Sequence, residues 1–344
     1  MGYFEICNIF VENFKKMEKI IGIGNALTDI MAVVEEDGLF DSINLPKGST
    51  QFIEKERLPE ILDLFSTMDT KRVPGGSSAN TIRSLAHMGI PTGYIGKVGQ
   101  DEIGSSYIQG MQSLHIDTHF SYSELPSGIA STFISKDGER SFIDYLGAAA
   151  TLTDKDIAAE NLKGYSYLYI EGYLVQDHEM ITHAMQTAKN MGLKVCMDMS
   201  SYNIVSADLP FFKKLIHDYV DIVFANEQEA HAYAEGTVEE VIELLGKDCE
   251  IAIVKIGAEG SLIRRNGETV KVKALHVEDA IDSNGAGDYY AAGFMYGLLH
   301  GYSLSLCGWL GSLFSAHIIR VIGTALPDEQ WEEIKREIGR IQLK

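Results

Sequence analysis

Residues 282 to 288 read Asp-Ser-Asn-Gly-Ala-Gly-Asp, between a β-like run at 270 to 277 and an apolar run of helical length. Gly285 and Gly287 carry no Cβ, so the backbone can turn sharply and approach a ligand closely. Such a turn leaves backbone N–H groups, including that of Ala286, at a helix N-terminus without intrahelical partners, a ready site for an anion. Asp288 then opens the helix, with Asn284 on the turn before it. A carboxylate beside an anion-binding turn can take a proton where negative charge is transferred. The chemistry this predicts is phosphoryl transfer to a hydroxyl.

Other polar residues fall after expected strands. Asn25 and Asp29 follow the short apolar run 20 to 24, where they can hydrogen-bond substrate hydroxyls or simply serve as turn and capping residues. Gly22-Ile-Gly24 is not a dinucleotide fingerprint, because Leu27 stands at the third glycine position. Gly75, Gly76, Ser77 and Asn80 open a helix. The glycines permit close ligand approach and Asn80 offers both donors and acceptors, although Ser77 also suits an ordinary cap. Asn226 and Glu229 follow a strand and suit Mg²⁺ held largely through water, or a helix N-terminus that favours acidic residues. Lys255, Gly257 and Gly260 form a strand entering a glycine turn, suited to a nucleotide wall or a hairpin. Arg140 offers a fixed charge that could cover a transferred phosphoryl group. The aromatics Phe133, Phe142, Tyr145 and Tyr173 could sandwich a flat base.

These residues need a scaffold. The chain has 344 residues, 45% hydrophobic and 23% charged, which is ordinary for a soluble globular protein. Its formal net charge of -20 repels nucleic acid and anionic membranes, so neither is expected as a partner. Cys7, Cys196, Cys249 and Cys307 lack metal-ligand spacing and read as reduced thiols of a cytoplasmic protein. Residues 1 to 16 lack a signal-peptide pattern and read as an N-terminal extension. The apolar runs 291 to 299 and 302 to 319 are interrupted at His300-Gly301 and predict two buried helices rather than a membrane span. From about residue 162, short strands alternate with helical stretches, predicting an α/β fold with a doubly wound, mostly parallel sheet and helices on both faces. Segments 31 to 53 and 116 to 147 have hairpin character instead. They are expected to form a small β-sheet lid on a main α/β domain made of 17 to 30, 54 to 115 and 148 to 344.

Taken together and in this order, the motifs resemble the ribokinase-like carbohydrate and nucleoside kinases, the PfkB family. Gly75 to Asn80, continuing through residues 95 to 101, is similar to its N-terminal signature, Asp282 to Asp288 to its C-terminal signature, and Asn226 to Glu229 to its magnesium motif. The resemblance implies ATP and Mg²⁺ as cofactors, Asp288 as catalytic base and Gly285-Ala286-Gly287 as anion hole, with Arg140 beside them. It implies a nucleotide site near Asn226, Lys255, Gly257, Gly260, Val277 and His317. A loop for a monovalent cation such as K⁺ is implied near Asp282, His317 and Gly323. The stretch 24 to 29, Asn284 and the run from Arg140 past Leu146 are similar to members that phosphorylate the 5′-hydroxyl of adenosine. Asp144, Tyr145 and Gly147 depart from that pattern. A sugar kinase for ribose or fructose, a guanosine or inosine kinase, and an inactive nucleotide sensor are the alternatives. The expected partners are small molecules only, in a monomer or homodimer.

Overall fold

The computed structural model describes residues 18 to 36 and 38 to 342, so the expected extension at 1 to 16 lies outside the described residues. Fourteen strands follow in chain order: β1 (Ile20–Ile23), β2 (Leu27–Val34), β3 (Thr50–Phe52), β4 (Thr70–Gly75), β5 (Thr92–Gly99), β6 (Asp117–Ser123), β7 (Gly128–Ser135), β8 (Arg140–Tyr145), β9 (Tyr167–Glu171), β10 (Lys194–Asp198), β11 (Ile222–Asn226), β12 (Ile251–Lys255), β13 (Ser261–Arg265) and β14 (Glu268–Val272). Nine make the main sheet, in the order β14-β13-β12-β11-β10-β9-β1-β5-β6. From β12 to β6 every pairing is parallel, and only the β12–β13 and β13–β14 pairings are antiparallel. Adjacent residues of β1 point into different cores: Ile20 packs with Tyr94 and Tyr169 on one face, Ile21 with Leu168 and Ile95 on the other. This is the two-sided burial that a parallel sheet requires.

The strand order reverses at β1. The chain leaves β1 towards β5 and β6, then returns to β9 on its other side and proceeds to β12. A reversal of this kind opens a crevice beyond the carboxyl ends of the strands. Asn25 and Glu171, just past β1 and at the end of β9, stand at that crevice.

The small sheet has the order β3-β8-β7-β2-β4, and its membership differs from the sequence expectation. Residues 117 to 123 pair in parallel with β5 in the main sheet. Helix Glu102–Ser113 between them is the crossover that a parallel pair needs. Leu27 to Ile30 belongs to the small sheet, because β2 runs unbroken from Leu27 beside β7. Residues 70 to 75 join it as an edge strand, a position that tolerates Pro74, which has no N–H to donate. The run 270 to 277 stops being strand at Val272.

Helices Ala286–Leu299 and Leu304–Ile318 are the two apolar runs, and they pack against each other within the core. No helix among the described residues is long and apolar enough to cross a membrane. Their approach depends on missing side chains: a Cβ at Gly293 would lie 2.3 Å from the Leu310 carbonyl oxygen. Gly293→Ala therefore forces apart the helix that carries Asp288. Denaturant unfolding should show a loss of about 1–3 kcal/mol, the usual range for overpacking; unchanged stability would mean that the helix pair yields freely.

Candidate active site

A cleft of about 630 Å³ lies between the carboxyl ends of the main sheet and the small sheet. Of the residues expected from sequence, it gathers Asn25, Asp29, Gly76, Ser77, Asn80, Leu146, Tyr173, Asn226, Glu229, Lys255, Asn284, Gly285, Gly287 and Asp288. Gly75, Ala286, Arg140, Gly257, Gly260, Val277, His317, Asp282 and Gly323 are not among its lining residues.

Asp288 sits in the first turn of helix Ala286–Leu299, after Gly285 at φ +74°. Ser77 Oγ donates to its Oδ1 at 2.7 Å and Asn80 Nδ2 to its Oδ2 at 2.9 Å. Burial pushes its pKa up to about 7 against those two hydrogen bonds. The N–H groups of Gly287 and Asp288 precede the first intrahelical bond, from Tyr289 to Gly285, so they have no partner within the helix. Ala286 differs from the expectation for an anion hole: its N–H donates to the Ser283 carbonyl at 3.2 Å, closing the turn.

The opposite wall of the cleft floor is organised by Glu171, which the sequence reading passed over. Its carboxylate is 1% exposed. It accepts from Asn25 N at 2.9 Å, Asn25 Nδ2 at 2.7 Å and Ser78 N at 2.9 Å. Burial raises its pKa even against these bonds. Gly24 and Gly76 make room: a Cβ at Gly24 would lie 2.5 Å from Glu171 Oε2, and one at Gly76, at φ +95°, 2.2 Å from the Asn25 carbonyl oxygen. Within Gly22-Ile-Gly24, Gly24 thus reflects carboxylate packing, whereas a Cβ at Gly22 would lie 2.5 Å from Ile82 Cγ1 of the neighbouring helix. Asp29 faces the cleft from β2, its Oδ2 accepting from Thr324 Oγ1 at 2.5 Å, and burial lifts its pKa to about 6.

At the far end, Asn226 and Glu229 form a capping box. Asn226 N and Nδ2 each donate to Glu229 at 2.7 Å, and Glu229 N returns to Asn226 Oδ1 at 2.9 Å. Asp198, a second residue not singled out from sequence, holds Lys255 Nζ at 2.9 Å. Burial alone would lower Lys255, but Asp198 and Glu229 raise it, so it stays charged. No group of three or more acidic, histidine or cysteine side chains among the described residues could ligate a metal directly. With both Glu229 oxygens used in the box, the donor set fits Mg²⁺ kept in its water shell, which this ion favours.

Arg140 and Asp282 depart from their expected places. Arg140 Nη1 donates to Asp282 Oδ1 and Nη2 to the Ile281 carbonyl, both at 2.5 Å. Asn284 N also donates to Asp282 Oδ1, and Gly323 N to Oδ2 at 2.9 Å. The Asp282 oxygens are therefore taken by donors and its charge is met by a guanidinium, a geometry that does not fit a monovalent cation at this carboxylate. His317 is buried, hydrogen-bonded to Gln330 at 2.5 Å and facing Glu337 rather than the cleft. Gly260, at φ +107°, is required by its turn, because a Cβ there would meet the Val272 carbonyl at 1.9 Å. Phe133 and Tyr145 are not base-sandwiching residues: both are buried in the core of the small sheet, with Phe133 stacked on Phe65 at 5.0 Å. Phe142 and Tyr173 do line the cleft, joined by Phe52, which is 71% exposed.

Arg140 thus ties the small sheet to the loop that sets the glycine turn. Arg140→Lys keeps the charge but cannot make both bonds. Turnover should fall while the melting temperature changes little; wild-type kinetics would show that the tie does not serve the site.

Three comparisons bear on this geometry. The description pfkB family carbohydrate kinase matches residues 54–331. Adenosine kinase 1 of Arabidopsis thaliana is 26% identical over 337 residues, covering 90% of this chain and 96% of that protein. The crystal structure of adenosine kinase from Sinorhizobium meliloti superposes with a TM-score of 0.81 at 32% identity, over 93% of this chain and 99% of that one. The structure of a probable sugar kinase protein from Rhizobium etli CFN 42 gives 0.81 at 30% identity, over 93% and 98%.

Proposed function

Because the chain belongs to the pfkB family of carbohydrate kinases, we propose that it transfers the γ-phosphoryl group of ATP to the 5′-hydroxyl of adenosine. That it is a phosphotransferase with an alcohol acceptor follows from the family. The choice of adenosine rests chiefly on one observation. Besides Asp288, Asn80 and Asp29, the cleft is lined by Phe52, Phe142 and Tyr173, an aromatic lining suited to a base as well as a ribose. Two of the three relatives above are named adenosine kinases.

In this reading the ribose hydroxyls meet Asp29, Asn25 and the Gly76 turn. The 5′-hydroxyl displaces Ser77 or Asn80 from Asp288 and gives up its proton there as it attacks phosphorus. The free N–H groups of Gly287 and Asp288, at the positive end of the helix, hold the phosphoryl oxygens. Lys255 adds a fixed charge beside the turn: its Nζ lies 3.1 Å from where a Gly287 Cβ would stand. Mg²⁺, held through water by Asn226, Glu229 and Asp198, would supply charge neutralisation for the phosphates. The small sheet covers the substrate and excludes water.

The substrate test compares specificity constants. Adenosine should exceed ribose and fructose; a higher value for either sugar would turn the reading to a sugar kinase. The base is tested separately. Asp288→Asn preserves shape and removes the proton acceptor, so turnover should drop about 10²–10⁴-fold with ATP binding little changed. A base with a pKa of about 7 must be ionised to act. In the wild type kcat/KM should therefore rise with pH through an acidic limb near 7 and level off above it. An Asp288→Asn enzyme with normal turnover would reduce Asp288 to a helix cap.

A further inference from the structure

The cleft face of the small sheet carries a second carboxylate that the proposed reaction does not use. Register places Asp29 opposite Ala130 on β7, Ala130 opposite Asp144 on β8, and Asp144 opposite Phe52 on β3. All four line the cleft, forming one row across it. Asp29 and Asp144 are two strands apart, so their backbones are separated by roughly 10 Å. Along this row the position next to Asp29 is Ala130, whose small side chain leaves space, and the one beyond it is Asp144.

Asp144 is poorly satisfied there. Its Oδ1 is buried and has no hydrogen-bond partner. Burial and the neighbouring Asp29 push its pKa up to about 7, and only the Ser131 backbone amide opposes them. The one cation among the described residues lining the cleft is Lys255, and it is engaged by Asp198. The protein thus holds an acceptor in a desolvated position and brings no side-chain cation to it. A buried acceptor without a partner is costly in the empty protein, and that cost is relieved when a ligand brings a donor.

On the nucleoside reading above, we infer that Asp144 determines specificity for the base, accepting a hydrogen bond from an exocyclic amino group, so that the cleft selects 6-aminopurine nucleosides over those lacking the amine. A furanose alone, bound at Asp29 with its hydroxyl at Asp288, brings no amino group to Asp144. The residue has a role only when the substrate carries a base. Asp144 touches no reacting atom and does not take part in phosphoryl transfer.

The test measures kcat/KM for adenosine and for purine riboside, which differ only in the 6-amino group, with the full chain. Above pH 7, where Asp144 is ionised, the wild type should prefer adenosine by about 10- to 100-fold, as expected for a lost hydrogen bond to a charged acceptor. Asp144→Ala and the near-isosteric Asp144→Leu should each bring the ratio close to one, with KM for ATP unchanged. Because each removes an unpaired buried carboxylate, neither should lower the melting temperature. A wild-type ratio near one overturns the inference without needing any variant. So does a preference for adenosine that survives in either variant. If neither nucleoside is phosphorylated while ribose or fructose is, the nucleoside reading fails and this inference fails with it.

Discussion

The cleft depends on one buried carboxylate. Glu171 ends the strand beside β1 at the reversal of the sheet, and it accepts three hydrogen bonds, two from Asn25 and one from the first turn of helix Ser77–His87. It thereby joins three pieces that are distant in sequence: the turn after β1, the end of β9, and the helix whose Ser77 and Asn80 hold Asp288. A buried carboxylate is tolerable only when donors surround it. Here those donors are the backbone of the turns that shape the substrate site, so satisfying the charge and shaping the site are the same event. Gly24 follows from this, since any side chain there would strike Glu171.

The second organising contact is between the small sheet and the loop before the glycine turn. Arg140 reaches from the small sheet to Asp282 and Ile281, and Asp282 also receives the N–H groups of Asn284 and Gly323. One carboxylate therefore fixes the loop before the glycine turn and anchors the small sheet to it. Asp282 is 4% exposed. A guanidinium with a planar fork can serve one carboxylate and a carbonyl at once, which an ammonium cannot do with the same geometry.

Much of this was legible in the sequence, because the chemistry is carried by short contiguous motifs. The glycine turn with Asp288, the Gly76 turn with Asn80, and the alternation of strands and helices are all local patterns. What escaped is non-local. Glu171 and Asp198 are single acidic residues at strand ends, and nothing near them in sequence marks them; their meaning comes from Asn25, Ser78 and Lys255, which arrive from other strands. The small sheet was misdrawn at its edges for a related reason. Residues 117 to 123 and 128 to 135 both fall in the segment 116 to 147 of hairpin character, and only the crossover helix before the first one assigns it to the main sheet. Phe133 and Phe142 lie on the same pair of antiparallel strands but point to opposite faces, one into the core and one into the cleft. Alternation by itself does not say which face is which. Arg140 was drawn towards the ligand by its residue type and His317 by the family resemblance, whereas Asp282 and Gln330 claim them.

The net charge of -20 is adverse to binding anions, yet burial makes the cleft carboxyls less ready to carry their share of it. Asp29, Asp144, Glu171 and Asp288 all line it, and burial raises every one of their pKa values. For Asp288 the result is a stronger base than an exposed aspartate, poised near neutral pH, where general-base catalysis is most effective. The same shift acts against the fold. A carboxyl whose pKa rises on folding contributes stability that is complete below its unfolded value of about 4 and is lost as pH climbs through about 7. Ionising Asp288, which the proposed reaction needs, therefore weakens the folded state over that interval. Ser77 and Asn80 moderate the penalty by donating to both oxygens. They also keep the carboxylate aimed at the place a hydroxyl must occupy, so the groups that make the charge bearable also hold it ready.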